Sequence, residues 1–227
     1  MINVTENFRK IQDLLAKAAA DAGRSADQIR LLAVSKMKPA EGVLEVYAAG
    51  QRDFGENTVR EGLQKIAAVD RADAVWHFIG HLQSNKTKAV AGHFQWVHTV
   101  DRLKIARRLS VQRPRHAGDL NVCIEVNIDA EDSKSGVSPA EVADLAAAVA
   151  ELPGLRLRGL MCLPAIRADF EQQRQPFARL RALMESLNRS GMQMDTLSMG
   201  MTADYAAAIR EGATIVRVGT AIFGARE

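Results

Sequence analysis

Short, largely apolar runs alternate with helix-like segments along the whole chain. Residues 31–35 and 75–79 are dominated by aliphatic and aromatic side chains, whereas Phe8, Ile11 and Leu15 recur at the spacing of one helix face. Runs that are apolar on both faces are typical of strands buried within a parallel sheet. The pattern therefore predicts buried strands separated by helices.

Eight such strands are predicted. They cover residues 31–35, 52–55, 75–79, 94–100, 122–128, 155–160, 196–198 and 213–218. The predicted helices are an N-terminal one ending near Gly23, then 39–49, 57–68, 84–91, 101–110, 138–152, 170–190 and 204–211, with Asn57 a candidate N-cap. Strands that each precede a helix form parallel βαβ units. Eight units predict an α/β fold, a single (β/α)8 TIM barrel domain over residues 1–227 with an extra N-terminal helix; a doubly wound open sheet is the alternative.

Composition narrows the function classes. The chain has 227 residues, and its 30 basic residues nearly balance 27 acidic ones, for a formal net charge of +3. Because no long basic run occurs, the sequence does not predict nucleic-acid binding. Two cysteines cannot form a disulfide framework, and no run reaches membrane-spanning length. We expect a cytoplasmic protein without a membrane segment.

Lys36 directly follows the first predicted strand. In a barrel of this kind the chemistry lies where the strands end, on the loops that lead into the helices. A lysine held there can lose its proton and attack an aldehyde, forming a Schiff base. The alternative is a lysine that terminates a buried strand and extends its ammonium group into water.

Two later strand ends predict a phosphate site. Ser198 and Gly200 follow the seventh strand, and Gly219 and Thr220 follow the eighth. Loops after strands seven and eight are the recurrent phosphate site of this fold, where glycine admits close backbone N–H groups and hydroxyls add donors. Each motif taken alone more often marks an ordinary turn, so the prediction rests on their joint occurrence.

Two charged or titratable residues lie on the strands themselves. Arg217 is near the end of the eighth strand, where it is suited either to an ion pair with a neighbouring strand or to a ligand's ring nitrogen or anion. His77, on the third strand, is a candidate base, ligand or core residue. No second His or Cys stands at zinc-ligand spacing, so no metal site is predicted. Lys134, within the 132–136 loop, would face the same end of the barrel.

The combined motifs are similar to those of a known family. The matching segments are 32–36, 54–57, 76–80, 82–86, 133–136, 158–161, 197–201 and 216–224. Over nearly its whole length the chain resembles the pyridoxal phosphate homeostasis proteins, whose single barrel is like the N-terminal domain of bacterial alanine racemase.

The resemblance implies a cofactor and a set of residues that bind it. Lys36 would hold pyridoxal 5'-phosphate as a Schiff base, and Arg217 would face its pyridine nitrogen. The phosphate would lie against Ser198, Gly200, Gly219 and Thr220. Asn57 and His77 would lie beside the cofactor, with Met161 packed near its ring.

Catalysis is not expected from this set of residues. Arginine cannot accept a proton in proteins, so a ring nitrogen facing Arg217 would stay unprotonated and stabilise carbanions weakly. The related racemases take a tyrosine from a second domain, whereas Tyr47 and Tyr205, the two tyrosines here, fall in predicted helices. We expect a monomeric, non-catalytic protein that stores, protects or delivers the cofactor, with pyridoxal-phosphate-dependent apoenzymes as recipients. A small amino-acid racemase and a sugar-phosphate barrel enzyme are the alternatives.

Overall fold

Eight parallel strands close into a barrel in the structure, a computed structural model that describes residues 3–131 and 134–224. Each strand pairs with the next in the chain, and the first pairs with the last. The strands are β1 (Arg30–Val34), β2 (Asp53–Glu56), β3 (Val75–Phe78), β4 (Trp96–Val100), β5 (Leu120–Glu125), β6 (Leu155–Met161), β7 (Thr196–Met201) and β8 (Ile215–Val218). The predicted closed barrel is confirmed.

Helices cover the outside of the barrel. They are α1 (Val4–Asp21), α2 (Ala40–Ala48), α3 (Val59–Val69), α4 (Thr87–His93), α5 (Leu103–Gln112), α6 (Val142–Ala150), α7 (Phe170–Arg189), α8 (Tyr205–Arg210) and α9 (Thr220–Phe223). None of the helices in the described part of the chain is long and apolar enough to cross a membrane.

Several helix boundaries differ from the sequence expectation, and two differences bear on the cavity described below. Thr58, not Asn57, caps α3, because its Oγ1 accepts a hydrogen bond from the backbone N–H of Glu61 at 3.4 Å. The one-turn helix α9 begins at Thr220, within the segment predicted to bind phosphate. The cap prediction for Asn57 is therefore wrong, and the Asn57 side chain is left available for another role.

The predicted extra helix α1 has a structural purpose. Since α9 is only four residues long, it cannot cover the outer face of β8 and β1 alone. α1 packs against α2, α8 and α9, filling this gap. Phe8 and Ala19 of α1 are fully buried there, and the Asn7 side chain donates to the Ile222 carbonyl at 3.2 Å. The N-terminal helix thus completes the ring around the barrel.

The interior of the barrel is unusually polar. Most buried apolar residues lie between the strands and the helices. Inside the barrel the apolar cluster consists of Leu32, Trp96, Cys123, Met161 and Ile215. His77, His98, Ser198 and Arg217 are also almost completely buried. Because such interiors are usually filled by branched aliphatic side chains, the polar groups must satisfy one another.

Candidate functional site

A cavity of about 190 Å³ opens at the carboxyl ends of the strands. It is lined by Val34, Lys36, Lys38, Asn57, Ile79, Met161, Leu163, Met201, Thr202, Arg217, Gly219, Thr220, Phe223 and Gly224. This is the end of the barrel at which the fold places its chemistry. The cavity combines apolar walls with a few polar groups, the usual composition of a small-molecule site.

Lys36 lines this cavity from the turn that follows β1. The next residue, Met37, has a φ of 58°, in the left-handed region that a non-glycine residue seldom adopts. Its N–H donates to Glu61 Oε2 at 2.9 Å, which holds the turn against α3. Lys36 itself is exposed, so its amine is accessible from solvent.

A buried ion pair fixes the backbone immediately before Lys36. Lys65 Nζ donates to the Ser35 carbonyl at 2.5 Å and to Glu56 Oε1 at 2.7 Å. The Ser35 hydroxyl donates to the same Glu56 oxygen at 2.5 Å. Burial raises the pKa of the Glu56 carboxyl, while the hydrogen bonds from Lys65 and Ser35 oppose that rise. The network joins β1, β2 and α3 directly beneath Lys36.

Asn57 presents an unsatisfied acceptor at the cavity. Its Oδ1 is buried and has no hydrogen-bond partner in the described part of the chain. A buried amide oxygen without a partner is costly, and in a native protein such a group often awaits a ligand or water. Gly80 permits this placement, since a Cβ at Gly80 would lie 1.8 Å from the Asn57 carbonyl oxygen. Asn57 therefore carries, beside the cavity, a buried acceptor that has no donor among the described residues.

Arg217 supplies the positive charge at the base of the cavity. Its guanidinium is almost fully buried; one nitrogen donates to Ser198 Oγ at 2.8 Å and another to the Cys162 carbonyl at 2.9 Å. Burial lowers the pKa of Arg217, and the nearby Glu125 is among the charges that raise it. Burial also raises the pKa of the Glu125 carboxyl to about 7.

Six of the nine residues predicted to bind the cofactor line the cavity. They are Lys36, Asn57, Met161, Arg217, Gly219 and Thr220. The other three, His77, Ser198 and Gly200, do not. His77 and Ser198 lie in the barrel interior with their side chains hydrogen-bonded to other protein groups. Gly200 has a φ of 91°, and a Cβ there would lie 2.6 Å from Ala208 Cβ, so it is required for the turn into α8.

Thr202 is a cavity residue that the sequence reasoning missed. It follows β7 by one residue and lines the cavity together with Thr220 and Gly219. The prediction ended the seventh strand at Ser198, whereas β7 continues to Met201. Because the strand is three residues longer, the first hydroxyl beyond its end belongs to Thr202. A longer strand in the prediction would have identified it.

Lys134 lies near this end of the barrel but outside the cavity lining. Its amine donates to the Leu163 carbonyl at 3.1 Å and pairs with Glu131 at 2.6 Å. Asp132 and Ser133, which belong to the same loop, lie outside the described residues. The two cysteines are buried, and burial raises the pKa of each thiol to about 12, as expected of core residues.

Comparison with known proteins places the chain among well-defined relatives. The sequence model of the alanine racemase N-terminal domain matches residues 3–227. A pyridoxal phosphate homeostasis protein of Pseudomonas aeruginosa is 54% identical over 227 residues, covering 100% of this chain and 97% of that protein. The protein of the same name from Escherichia coli K12 is 50% identical over 230 residues, covering 100% and 98%.

Solved structures agree with these sequence matches. PipY of Synechococcus elongatus, solved without PLP, is 34% identical with a TM-score of 0.87, and the match covers 98% of this chain and 100% of that one. The structure of PipY with PLP bound has a TM-score of 0.80, covering 92% and 100%. An alanine racemase from Corynebacterium glutamicum shares the fold at 18% identity and a TM-score of 0.74, with 60% of its own length covered.

Proposed function

The chain belongs to the pyridoxal phosphate homeostasis proteins of the alanine racemase N-terminal domain family, and from that premise we propose that it binds pyridoxal 5'-phosphate at Lys36. When bound, this cofactor supplies an aldehyde that condenses reversibly with a primary amine. The observation that carries the proposal is the cavity itself: the exposed Lys36, the buried Arg217 and two threonines line it.

The residues present fit the cofactor in chemical type. Gly219, Thr220 and Thr202 would offer backbone and hydroxyl donors to the phosphate, and Arg217 would direct its fixed positive charge at the pyridine ring. Asn57 Oδ1, which has no partner among the described residues, would accept a hydrogen bond from a polar substituent of the cofactor. Met161 and Ile79 provide apolar surface for a planar ring. His77 and Ser198 lie in the barrel interior below the cavity, where Ser198 accepts a hydrogen bond from Arg217.

We propose that the bound cofactor is stored and released, not used for catalysis. The titratable side chains among the described residues lining the cavity are Lys36, Lys38 and Arg217, so no tyrosine, histidine or carboxylate lies opposite Lys36. Tyr47 is on α2 and bonds to Asp73, and Tyr205 begins α8 and lines a separate surface depression. Proton transfer on both faces of an amino acid would need such a group. The exposure of Lys36 favours exchange of the cofactor with solvent and with other amines.

An absorbance experiment tests the assignment of Lys36. Titration with pyridoxal phosphate should produce the band of a lysine-bound cofactor in wild type and in Lys38→Ala, but not in Lys36→Ala. Lys38 is the matched control because it lines the same cavity. Borohydride reduction followed by peptide mapping should then place the label on Lys36. Labelling of another lysine, or no band in wild type, would refute the proposal; phosphate binding without the band would favour a sugar-phosphate enzyme.

A racemase would give a different result. In deuterated solvent, the loaded protein should leave the Cα hydrogen of a panel of amino acids unexchanged. Rapid exchange that disappears in Lys36→Ala would establish the enzyme instead.

Delivery to other proteins is the last part of the proposal. We expect apo forms of pyridoxal-phosphate-dependent enzymes to regain activity when mixed with the loaded protein, since the amine of Lys36 is accessible to an incoming lysine. The residues that would hold the cofactor all lie at the strand ends of a single barrel, so we also propose a monomer. Light scattering that reports a dimer mass would contradict the latter.

A further inference from the structure

Four consecutive hydrogen bonds cross the barrel interior from the cavity to its opposite end. Arg217 Nη1 lies 2.8 Å from Ser198 Oγ, Ser198 Oγ lies 2.8 Å from His98 Nδ1, His98 Nε2 lies 2.9 Å from His77 Nδ1, and His77 Nε2 lies 2.9 Å from Asp53 Oδ1. Arg217 lines the cavity, whereas Asp53 is the first residue of β2, at the amino ends of the strands. The three middle side chains have no exposed surface.

The chemistry of the two ends permits only one direction of donation. Arg217 can only donate, so Ser198 Oγ accepts from it and its single proton is available for His98 Nδ1. His98 therefore carries its proton on Nε2 and donates to His77 Nδ1. His77 in turn carries its proton on Nε2 and donates to the Asp53 carboxylate.

The opposite direction of donation fails at both ends of this row of hydrogen-bonded side chains, which consists of Arg217, Ser198, His98, His77 and Asp53. With the protons on Nδ1, His98 and Arg217 would both donate to Ser198, and the Ser198 hydroxyl proton would have no recorded acceptor among the described residues. At the other end, the bare Nε2 of His77 would face the Asp53 carboxylate at 2.9 Å, two acceptors in contact. When neutral, both imidazoles are thus of the Nε2–H form.

Burial and stacking keep the row in this state. Desolvation lowers the pKa of His77 and lowers that of His98 well below its ordinary value, so both remain uncharged near neutral pH. The His77 ring stacks on Trp96 with centroids 5.4 Å apart and an interplanar angle of 9°. The charged groups are therefore confined to the ends, with a cation at the cavity and an anion at the far end. Aligned hydrogen bonds between opposite charges polarise and strengthen one another.

We infer that Asp53 is a positioning residue for Arg217, acting through His77, His98 and Ser198. The row fixes the position and the donor directions of a guanidinium that has no carboxylate in direct contact among the described residues. Asp53 is not among the residues that line the cavity. The inference rests on the proposed function, because the Arg217 geometry matters to the cofactor.

Histidine NMR tests the row without any cofactor. The chain has five histidines, and His81, His93 and His116 are exposed, so their variants to Gln identify the two buried rings. Two-bond ¹H–¹⁵N correlation spectra at pH 7 should show His77 and His98 as neutral Nε2–H tautomers. A proton on Nδ1 of either ring, or a charged ring, overturns the inference. This result is independent of whether pyridoxal phosphate binds.

Variants at the far end test the effect on the cavity. Asp53→Leu removes the terminal acceptor, so the buried His77 Nε2–H is left without a partner. This variant should weaken pyridoxal phosphate binding about tenfold. Asp53→Asn keeps an amide oxygen that can accept from His77 and should restore near wild-type affinity. Arg30→Gln is the control, since it removes the other partner of Asp53, at 3.3 Å, and leaves the row intact.

The outcomes separate this inference from the proposed function. If Asp53→Leu and Arg30→Gln bind equally well while Lys36→Ala does not bind, the positioning role is wrong and the cofactor assignment stands. If wild type does not bind the cofactor, the function fails and the NMR spectra still decide the row. Should Asp53→Leu fail to fold by circular dichroism, the wild-type imidazole spectra remain the deciding measurement.

Discussion

Asn57 illustrates how one side chain can serve the ligand without serving the fold. Its buried Oδ1 has no partner among the described residues, so folding gains nothing from this acceptor and a ligand gains a hydrogen bond. We expect Asn57→Ala to weaken pyridoxal phosphate binding by about 1 kcal/mol, roughly fivefold, with no loss of stability. Titration calorimetry and urea unfolding of the same variant measure the two effects. If Asn57→Ala lowered the free energy of unfolding as much as the free energy of binding, Asn57 would be a structural residue.

Glu125 is a single residue whose burial costs stability at alkaline pH. Its folded pKa of about 7 lies above the ordinary value of 4.5. Between these values the folded state keeps a proton that the unfolded chain has lost, so this contribution falls as pH rises and is gone above 7. The shift corresponds to at most about 3 kcal/mol. Urea unfolding should show Glu125→Gln more stable than wild type at pH 8 and similar to it at pH 4.5; equal stability at pH 8 would contradict the shift.

At the scale of elements, the buried ion pair of Lys65 on α3 and Glu56 on β2 holds the turn that carries Lys36 against these two elements. Removing one partner leaves the other charge buried, so Lys65→Met should cost about 3–5 kcal/mol. The double variant Lys65→Met/Glu56→Leu should recover much of that stability but not the position of Lys36, because the Ser35 carbonyl loses its donor. Unfolding curves measure the first effect and the absorbance titration the second. Full recovery of both would show that the pair does not position Lys36.

The helix α1 offers a second test at this scale. Phe8 is fully buried in the gap that the short α9 leaves open. Phe8→Ala should destabilise the protein by about 3–5 kcal/mol, in the range for a large aromatic removed from a core. The exposed Phe170, at the start of α7, is the matched control, and Phe170→Ala should change stability little. Thermal unfolding distinguishes the two variants. If Phe8→Ala changed stability as little as Phe170→Ala, α1 would not be part of the core.

The elements could be predicted from sequence to different degrees. The eight strands were found because buried parallel strands are continuous apolar runs, and Lys36 was found because it directly follows one of them. Thr202 was missed because Ser198, Gly200 and the methionines between them look like a loop, although β7 continues through them. The row from Arg217 to Asp53 joins residues from five strands and depends on which side chains face inward at the same level. Local periodicity does not contain that information.

For the molecule as a whole, the two buried histidines make stability sensitive to acid. Both have folded pKa values below the ordinary 6.5, because burial disfavours the charged form. As pH falls through 6.5 the unfolded chain takes up protons that the folded state refuses, so stability falls by up to about 1.4 kcal/mol per pH unit for each histidine. Charging either ring would also break the direction of the row, since a charged imidazole donates from both nitrogens.

This acid sensitivity should therefore appear in binding as well as in folding. We expect the free energy of unfolding to drop below pH 6.5, with loss of pyridoxal phosphate affinity only where the imidazoles become charged. Urea unfolding and cofactor titration at matched pH values provide the measurement. In His98→Phe, the free energy of unfolding should change less steeply with pH below 6.5. Because Glu125 acts in the opposite direction between pH 4.5 and 7, the comparison is cleanest in the Glu125→Gln background. A slope unchanged by His98→Phe would show that the buried row does not govern the acid limit of the fold.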